Sequence, residues 1–291
     1  MRILLTGASG QVGFELRRAL APLGEVHAFD RAGLDLADAV AVVKAFRRVK
    51  PALVVNAAAY TAVDKAESEP ALAHAINALA PQVLAEESRR TGAVMVHYST
   101  DYVFDGSKRE PWREDDPVAP LNEYGRSKLA GERAIGRSGA KHLVFRTSWV
   151  YGPRGKNFLA TMLNLAATRE ELRVVADQRG APTSSLFLAE ATVRAIRAIP
   201  REGVASGIYN LSAGGETTWA SFAEAIFARA AGRPGFRAPR VIRIPSSDYP
   251  TPARRPAYSV LDPAKFTAAF GFAPSSWESQ LDAVFAALPA G

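Results

Sequence analysis

The sequence predicts a doubly wound α/β fold, a parallel sheet covered by helices on both faces, with a smaller C-terminal lobe interleaved with it. Three observations predict this. Short apolar runs alternate with amphipathic stretches through the first half, the first run leads into spaced glycines, and the second ends on an acidic residue. Continuous apolar strands suit a sheet buried on both sides, and their alternation with helices makes that sheet parallel.

The elements follow in order. Met1 to Thr6 is an apolar strand, and Gln11 to Leu20 is a periodic helix behind the glycines. Val26 to Phe29 forms the second strand and ends at Asp30; a helix follows near Ala37 to Val49, then strand Leu53 to Asn56. Pro70 to Arg90 reads as one helix, Val94 to Tyr98 as a strand, Tyr124 to Ile135 as a helix and His142 to Arg146 as a strand. The pattern then loosens. Asn157 to Thr168, Leu186 to Ile199 and Thr218 to Ala231 read as helices, with strands near Arg173 to Val175 and Ile208 to Asn210. Seven prolines between Arg233 and Pro263 predict long loops around one strand, Val241 to Ile244, and Ser275 to Ala287 predicts a closing helix. The expected division is a Rossmann-like dinucleotide domain over 1–147, with 184–212 added to it. A substrate lobe takes 148–183 and 213–291.

Composition narrows the function classes. At 291 residues and 48% hydrophobic, the chain suits one large domain or one and a half. No run approaches the roughly 18 to 20 apolar residues that span a bilayer, and MRILLTGASG reads straight into a fold element, so a soluble cytoplasmic protein is expected. There is no cysteine, and the four histidines lack ligand spacing, so no metal is expected. The net charge of +7 is spread over single and paired basic residues, which speaks against nucleic acid. It suits steering of a small anionic substrate.

TGASGQVG places Gly7, Gly10 and Gly13 between a strand and a helix. Glycines let the backbone turn sharply against a pyrophosphate, and the helix N-terminus then offers it unpaired N–H groups. Asp30 stands where a carboxylate meets the adenosine ribose of NAD, while neighbouring Arg31 suits the 2′-phosphate of NADP. The two argue opposite ways, and both cofactors stay open.

Further on, VMVHYST delivers Ser99 and Thr100 to the carboxyl edge of the sheet, where open α/β folds bind ligands. EYGRSKLAGE then puts Tyr124 and Lys128 four apart, on one helix face. A phenol titrates near 10, too high for brisk proton transfer at neutral pH, and a nearby ammonium is expected to draw it down. Lys128 has donors to spare for a nicotinamide ribose. The hydroxyl of Thr100 or Ser99 is placed to polarise a carbonyl oxygen.

LLTGASGQVG, NAAAYTAVDKAE, VHYSTDYVFDG, PLNEYGRSKLAGE, RTSWVYG, GAPTS and RPAYSVLD span nearly the whole chain in order. With these motifs it resembles the extended short-chain dehydrogenase/reductases and, within them, the dTDP-4-dehydrorhamnose reductase family. The resemblance implies NAD(P)H-dependent reduction of the 4-keto group of a nucleotide-diphosphate sugar, with NADPH slightly favoured over NADH. It implies Thr100, Tyr124 and Lys128 as the catalytic set. Gly7, Gln11 and Val12 would meet the pyrophosphate, Asp35 and Leu36 the adenine, and Ala57, Ala58 and Tyr60 the cofactor's sugar and phosphate path. Thr61, Val63, Asp101, Tyr102 and Trp149 would line the sugar pocket. Asn77 is read as helix packing and His97 as core.

Tyr258 stands where the family pattern has asparagine. Some relatives dimerise through magnesium held by glutamates; Glu15 fits one such position, but Leu186 replaces another acid, so no metal is carried over. A monomer or homodimer is expected. The rivals are a nucleotide-sugar epimerase or dehydratase on the same fold, or a non-catalytic NADP-binding regulatory subunit, which needs no intact catalytic set.

Overall fold

The computed structural model describes residues 1–199 and 206–289. The first half runs β1 (Arg2–Thr6), α1 (Gln11–Leu20), β2 (Glu25–Phe29), α2 (Ala39–Val49) and β3 (Leu53–Asn56). It continues through α3 (Val63–Ala66), α4 (Pro70–His74), a π-turn (Ala75–Leu79), α5 (Ala80–Thr91), β4 (Val94–Thr100), α6 (Glu123–Ser138) and β5 (His142–Thr147). The second half adds β6 (Val150–Tyr151), α7 (Phe158–Ala166), β7 (Glu171–Val175), β8 (Arg179–Gly180), β9 (Thr183–Ser184), α8 (Ser185–Ala198) and β10 (Gly207–Asn210). It closes with β11 (Thr217–Thr218), α9 (Trp219–Ala230), β12 (Arg240–Ile244), α10 (Ala264–Phe270) and α11 (Trp277–Ala287).

Six strands form one sheet in the order β10-β5-β4-β3-β1-β2, and every pairing is parallel. The doubly wound α/β class expected from the sequence is therefore the one observed. The chain steps from β1 out to β2, then returns to β3 on the other side of β1. Strand order reverses there, and a crevice opens at the carboxyl ends of β1 and β3.

The strand residues alternate between two cores, as the two-residue period of a strand requires. Ile3 and Leu5 join Leu16, Val55, Phe187, Leu188 and Phe266 on one face. Leu4 joins Phe46, Val54, Leu84, Met95 and Ile135 on the other. A third core, around Tyr151, Leu159, Phe222, Ile226 and Trp277, belongs to the second half. There β7 and β12 pair in parallel, and two-residue ladders join β6 to β9 and β8 to β11.

Three local differences from expectation have physical causes. The helix expected over Pro70 to Arg90 is interrupted by the π-turn. Pro81 has no N–H to give the carbonyl of Asn77, and its ring crowds that oxygen, so the ladder widens by one residue. Helix α10 was not anticipated among the proline-rich loops; Phe266 and Phe270, one turn apart and buried, anchor it, and Gly271 ends it at φ 65°. Short α3 likewise lay below the length that a periodic pattern reveals. Of the expected domain segments, positions 200–205 and 290–291 lie outside the described residues.

Candidate active site

The reversal crevice is a cleft of about 710 Å³. Its floor is the glycine turn. Gly7 has φ +72°, and a Cβ there would lie 2.6 Å from the Ala58 nitrogen, so the turn needs glycine both for its conformation and for close approach. Helix α1 starts from Gly10 with no side chain capping it and no acid in its first turn. Its N-terminal donors face the cleft without a competing acceptor, which suits a pyrophosphate. Gly13 corrects one expectation: it does not line the cleft. A Cβ there would sit 2.0 Å from the Gly7 oxygen, so this glycine seats α1 on the turn.

The other expected cofactor residues all line the cleft: Gly7, Gly10, Gln11, Val12, Asp30, Arg31, Asp35, Leu36, Ala57, Ala58, Tyr60, Tyr124 and Lys128. Asp30 folds its Oδ1 onto the Gly33 amide at 2.9 Å and keeps Arg31 beside it at the rim. The Ala57 to Tyr60 loop is held from below by Asn77, in the π-turn. Its side chain accepts from the Tyr60 amide at 2.8 Å and donates to the Tyr60 carbonyl at 3.0 Å and to Ser127 Oγ at 3.0 Å. Ser127 in turn donates to the Tyr124 carbonyl at 2.8 Å. Asn77 therefore ties the cofactor loop to the helix carrying Tyr124, more than the packing role expected.

Helix α6 is aimed into the cleft by its first turn. Asn122 caps it through the Gly125 amide at 2.8 Å and donates to the Arg254 carbonyl at 2.7 Å. Gly125 allows the helix to press on the turn after β4, where a Cβ would meet the Tyr102 oxygen at 2.3 Å. Tyr124 and Lys128 both reach the cleft, together with Thr100 from the end of β4. The three come together as the sequence led one to expect.

Their electrostatics differ from that expectation. Burial pushes the Tyr124 phenol up to about 12; its hydrogen bond with Thr100 lowers it, and the Asp101 charge raises it. Lys128 is wholly buried, and burial draws its ammonium down to about 8, against a raising influence from Glu132. Its amine donates to the Tyr98 carbonyl at 2.5 Å and lies 3.2 Å from His97 Nε2. Among the described residues the phenol's hydrogen-bond partner is Thr100, and the lysine is held from the strand side. The lowering of the Tyr124 phenol by Lys128 that the sequence led one to expect is not observed, because burial dominates.

The residues expected at the sugar, Thr61, Val63, Asp101, Tyr102 and Trp149, also line the cleft. Asp101 is buried; burial lifts its carboxyl to about 7, and the bond from Thr100 Oγ1 to its Oδ1, at 2.9 Å, offsets part of that. Its Oδ2 has no hydrogen-bond partner. Trp149 sits at φ 48° and stacks on Trp219 with centroids 3.5 Å apart, its ring edge filling the space beside Gly180. Arg255, from the proline-rich segment, pairs with Asp64 at 2.8 Å.

Sequence reasoning missed several lining residues: Ser9, Leu34, Ile76, Tyr98, Thr147, Ser148, Val150 and Lys156. Most are strand ends or turn residues whose place depends on tertiary packing. Lys156 follows the Gly152-Pro153-Arg154-Gly155 turn, and nothing beside it in the sequence marks it.

Comparison with known proteins bears on what this cleft handles. The family model described as RmlD substrate binding domain matches residues 1–289. The dTDP-4-dehydrorhamnose reductase of Burkholderia thailandensis is 49% identical over 284 residues, 95% of each chain. Among solved structures, the dTDP-4-dehydrorhamnose reductase of Clostridium acetobutylicum superposes with TM-score 0.92 at 38% identity, covering 99% of both chains. That of Bacillus anthracis, in complex with NADP, superposes with TM-score 0.91 at 36% identity, covering 98% of this chain and 99% of that one. With a match of this breadth in sequence and in fold, the chain belongs to the dTDP-4-dehydrorhamnose reductase (RmlD) family.

Proposed function

We propose that this protein is an NAD(P)H-dependent oxidoreductase that reduces the 4-keto group of dTDP-4-dehydro-L-rhamnose, giving dTDP-L-rhamnose. One observation carries the reading: a single cleft joins the glycine turn and bare α1 N-terminus to Thr100, Tyr124 and Lys128. A bound reduced nicotinamide supplies hydride to the carbonyl carbon. Tyr124 gives its phenolic proton to the carbonyl oxygen, and Thr100 holds that oxygen in line. Lys128 is fixed by the Tyr98 carbonyl and presents its remaining donor to the cofactor ribose. Gln11 and Val12 would meet the pyrophosphate, and Asp35 and Leu36 the adenine. Asp101 would stand beside the sugar.

NADPH or NADH serves the reading, with Arg31 favouring the 2′-phosphate and Asp30 the free ribose. The dinucleotide unit is read as 1–147 with 184–212, supported by β10 joining the sheet beside β5 and by α8 packing on α1. The sugar-nucleotide lobe is read as 148–183 and 213–291, around its own core. Among the described residues no helix is long and apolar enough to cross a membrane, and we read the enzyme as cytoplasmic, monomeric or homodimeric.

Tyr124→Phe tests the chemistry. It removes the proton donor and leaves the cofactor contacts, so kcat should fall by about a hundred- to ten-thousand-fold while NADPH affinity stays within a few-fold. Near-normal turnover by the purified variant would retire the assignment.

A further inference from the structure

Behind the cleft a fully buried polar chain leads to Lys128, through residues that the reaction does not use directly. Thr6 Oγ1 lies 2.6 Å from Asn56 Oδ1, Asn56 Nδ2 lies 3.1 Å from His97 Nδ1, and His97 Nε2 lies 3.2 Å from Lys128 Nζ. The four residues come from β1, β3, β4 and α6, and none is more than 1% exposed. Apolar side chains would fill this space at less cost, since buried polar groups are tolerated only when each finds a partner.

Counting protons along the chain gives it two consistent polarities. Burial first, and then the charge of Lys128, hold the His97 imidazolium far below its usual range, so the ring carries one proton. With the Asn56 amide nitrogen facing the ring, Nδ1 accepts and the proton sits on Nε2, pointing at Lys128. That arrangement needs a lone pair on the lysine and so an uncharged amine. With the amide turned by half a rotation, its oxygen accepts from Nδ1–H, and Nε2 offers its lone pair to an ammonium. Thr6 serves both, because a hydroxyl donates or accepts. Taking one proton from the cleft onto Lys128 therefore goes with moving the ring's single proton from Nε2 to Nδ1 and turning the amide. The ring stays neutral in both states.

We propose that His97, oriented by Asn56 and Thr6, is a positioning residue that sets the charge of Lys128. The inference rests on the reading of Lys128 as the ribose-holding, phenol-facing cation. The other charged and titratable groups around this lysine are few. Glu132 lies one turn along α6 and is bound to Arg146 of β5 at 2.7 Å. Tyr124 and Asp101 stand at the cleft, and the π-turn presents only the amide of Asn77. Among the described residues, His97 is thus the one group in hydrogen-bond reach whose donor or acceptor state can change with that of Lys128.

The test compares kcat against pH for the wild type, Asn56→Asp and His97→Phe. Aspartate at 56 accepts from Nδ1–H permanently, fixing the Nε2 lone pair on Lys128, and its charge adds to the effect. The basic limb of the profile should move up by about one pH unit, the size expected for a charge several ångströms away in a buried site. Phenylalanine removes the acceptor, and the limb should move down. A merely structural role predicts lower activity with an unmoved limb in both, and that result would overturn the proposal.

Should either variant fail to fold, nitrogen-15 NMR of the wild-type imidazoles decides the matter. His97 is assigned by elimination with variants of His27, His74 and His142. Its ring should change tautomer over the pH range in which Lys128 titrates; one tautomer across that range contradicts the inference. Turnover does not enter this readout, so a failure of the reductase reading, seen as full activity in Lys128→Ala, remains separable.

Discussion

Asp101 sits in an environment far from what its type prefers. It is 2% exposed, one oxygen is held by Thr100, the other has no partner, and burial lifts its carboxyl to about 7. The unfolded chain gives up this proton near pH 4, whereas the folded chain keeps it until about pH 7. Its contribution to stability is fully present below pH 4 and is lost as pH rises through 7, up to about 4 kcal/mol at 1.36 kcal/mol per unit. Asp101→Asn removes the titration. The urea midpoint of the variant, measured relative to wild type, should rise between about pH 5 and about pH 8. Parallel curves would show that the carboxyl titrates as if solvated.

At the scale of elements, α6 matters most, because it carries Tyr124 and Lys128 and must hold them still. Its far half is pinned to the sheet by Glu132, which accepts from Arg146 at 2.9 and 2.7 Å with both side chains almost wholly buried. Glu132→Gln leaves the guanidinium buried without its counter-charge and should cost about 3–5 kcal/mol in chemical denaturation. A loss under about 1 kcal/mol would mean that water reaches the arginine. α1 depends on contact of another kind. Gly13→Ala drives a Cβ into the Gly7 carbonyl, so the turn must shift. The expected result is weaker NADPH binding together with a lower melting temperature, a few degrees for a chain of this size. An unchanged affinity would show that the turn gives way without disturbing its phosphate-facing donors.

These elements also show what was legible in the sequence. The strands of the six-stranded sheet are apolar runs bounded by polar turns, and all were readable to within about two residues, as were α1 and α2, while α6 runs three residues beyond its expected end, to Ser138. Glycines 7 and 10, Asp30, Thr100, Tyr124 and Lys128 were readable because chemistry fixes both their type and their order along a βα succession. What escaped depended on contacts between distant segments. The buried chain from Thr6 to Lys128 joins residues up to 50 positions apart. His97 read as an ordinary strand residue because nothing next to it marks the lysine it would meet. Likewise, Pro81 was visible, but its effect on the Asn77 carbonyl needs the helix to exist first.

For the whole molecule, the cleft belongs almost wholly to the first half, with Trp149, Val150 and Lys156 reaching it from the segment after β5. The proline-rich segment is laced to the first half through Asn122 with Arg254 and Asp64 with Arg255. Its prolines lower the entropy lost in ordering so long a connection. The most direct test is to give the purified protein dTDP-4-dehydro-L-rhamnose with NADPH and, separately, with NADH, and to follow reduced nicotinamide by absorbance. One equivalent of cofactor should disappear for each equivalent of keto-sugar, with a 4-hydroxy product formed. Conversion of the sugar without net loss of reduced cofactor, or tight cofactor binding with no conversion of the keto-sugar, would contradict the account.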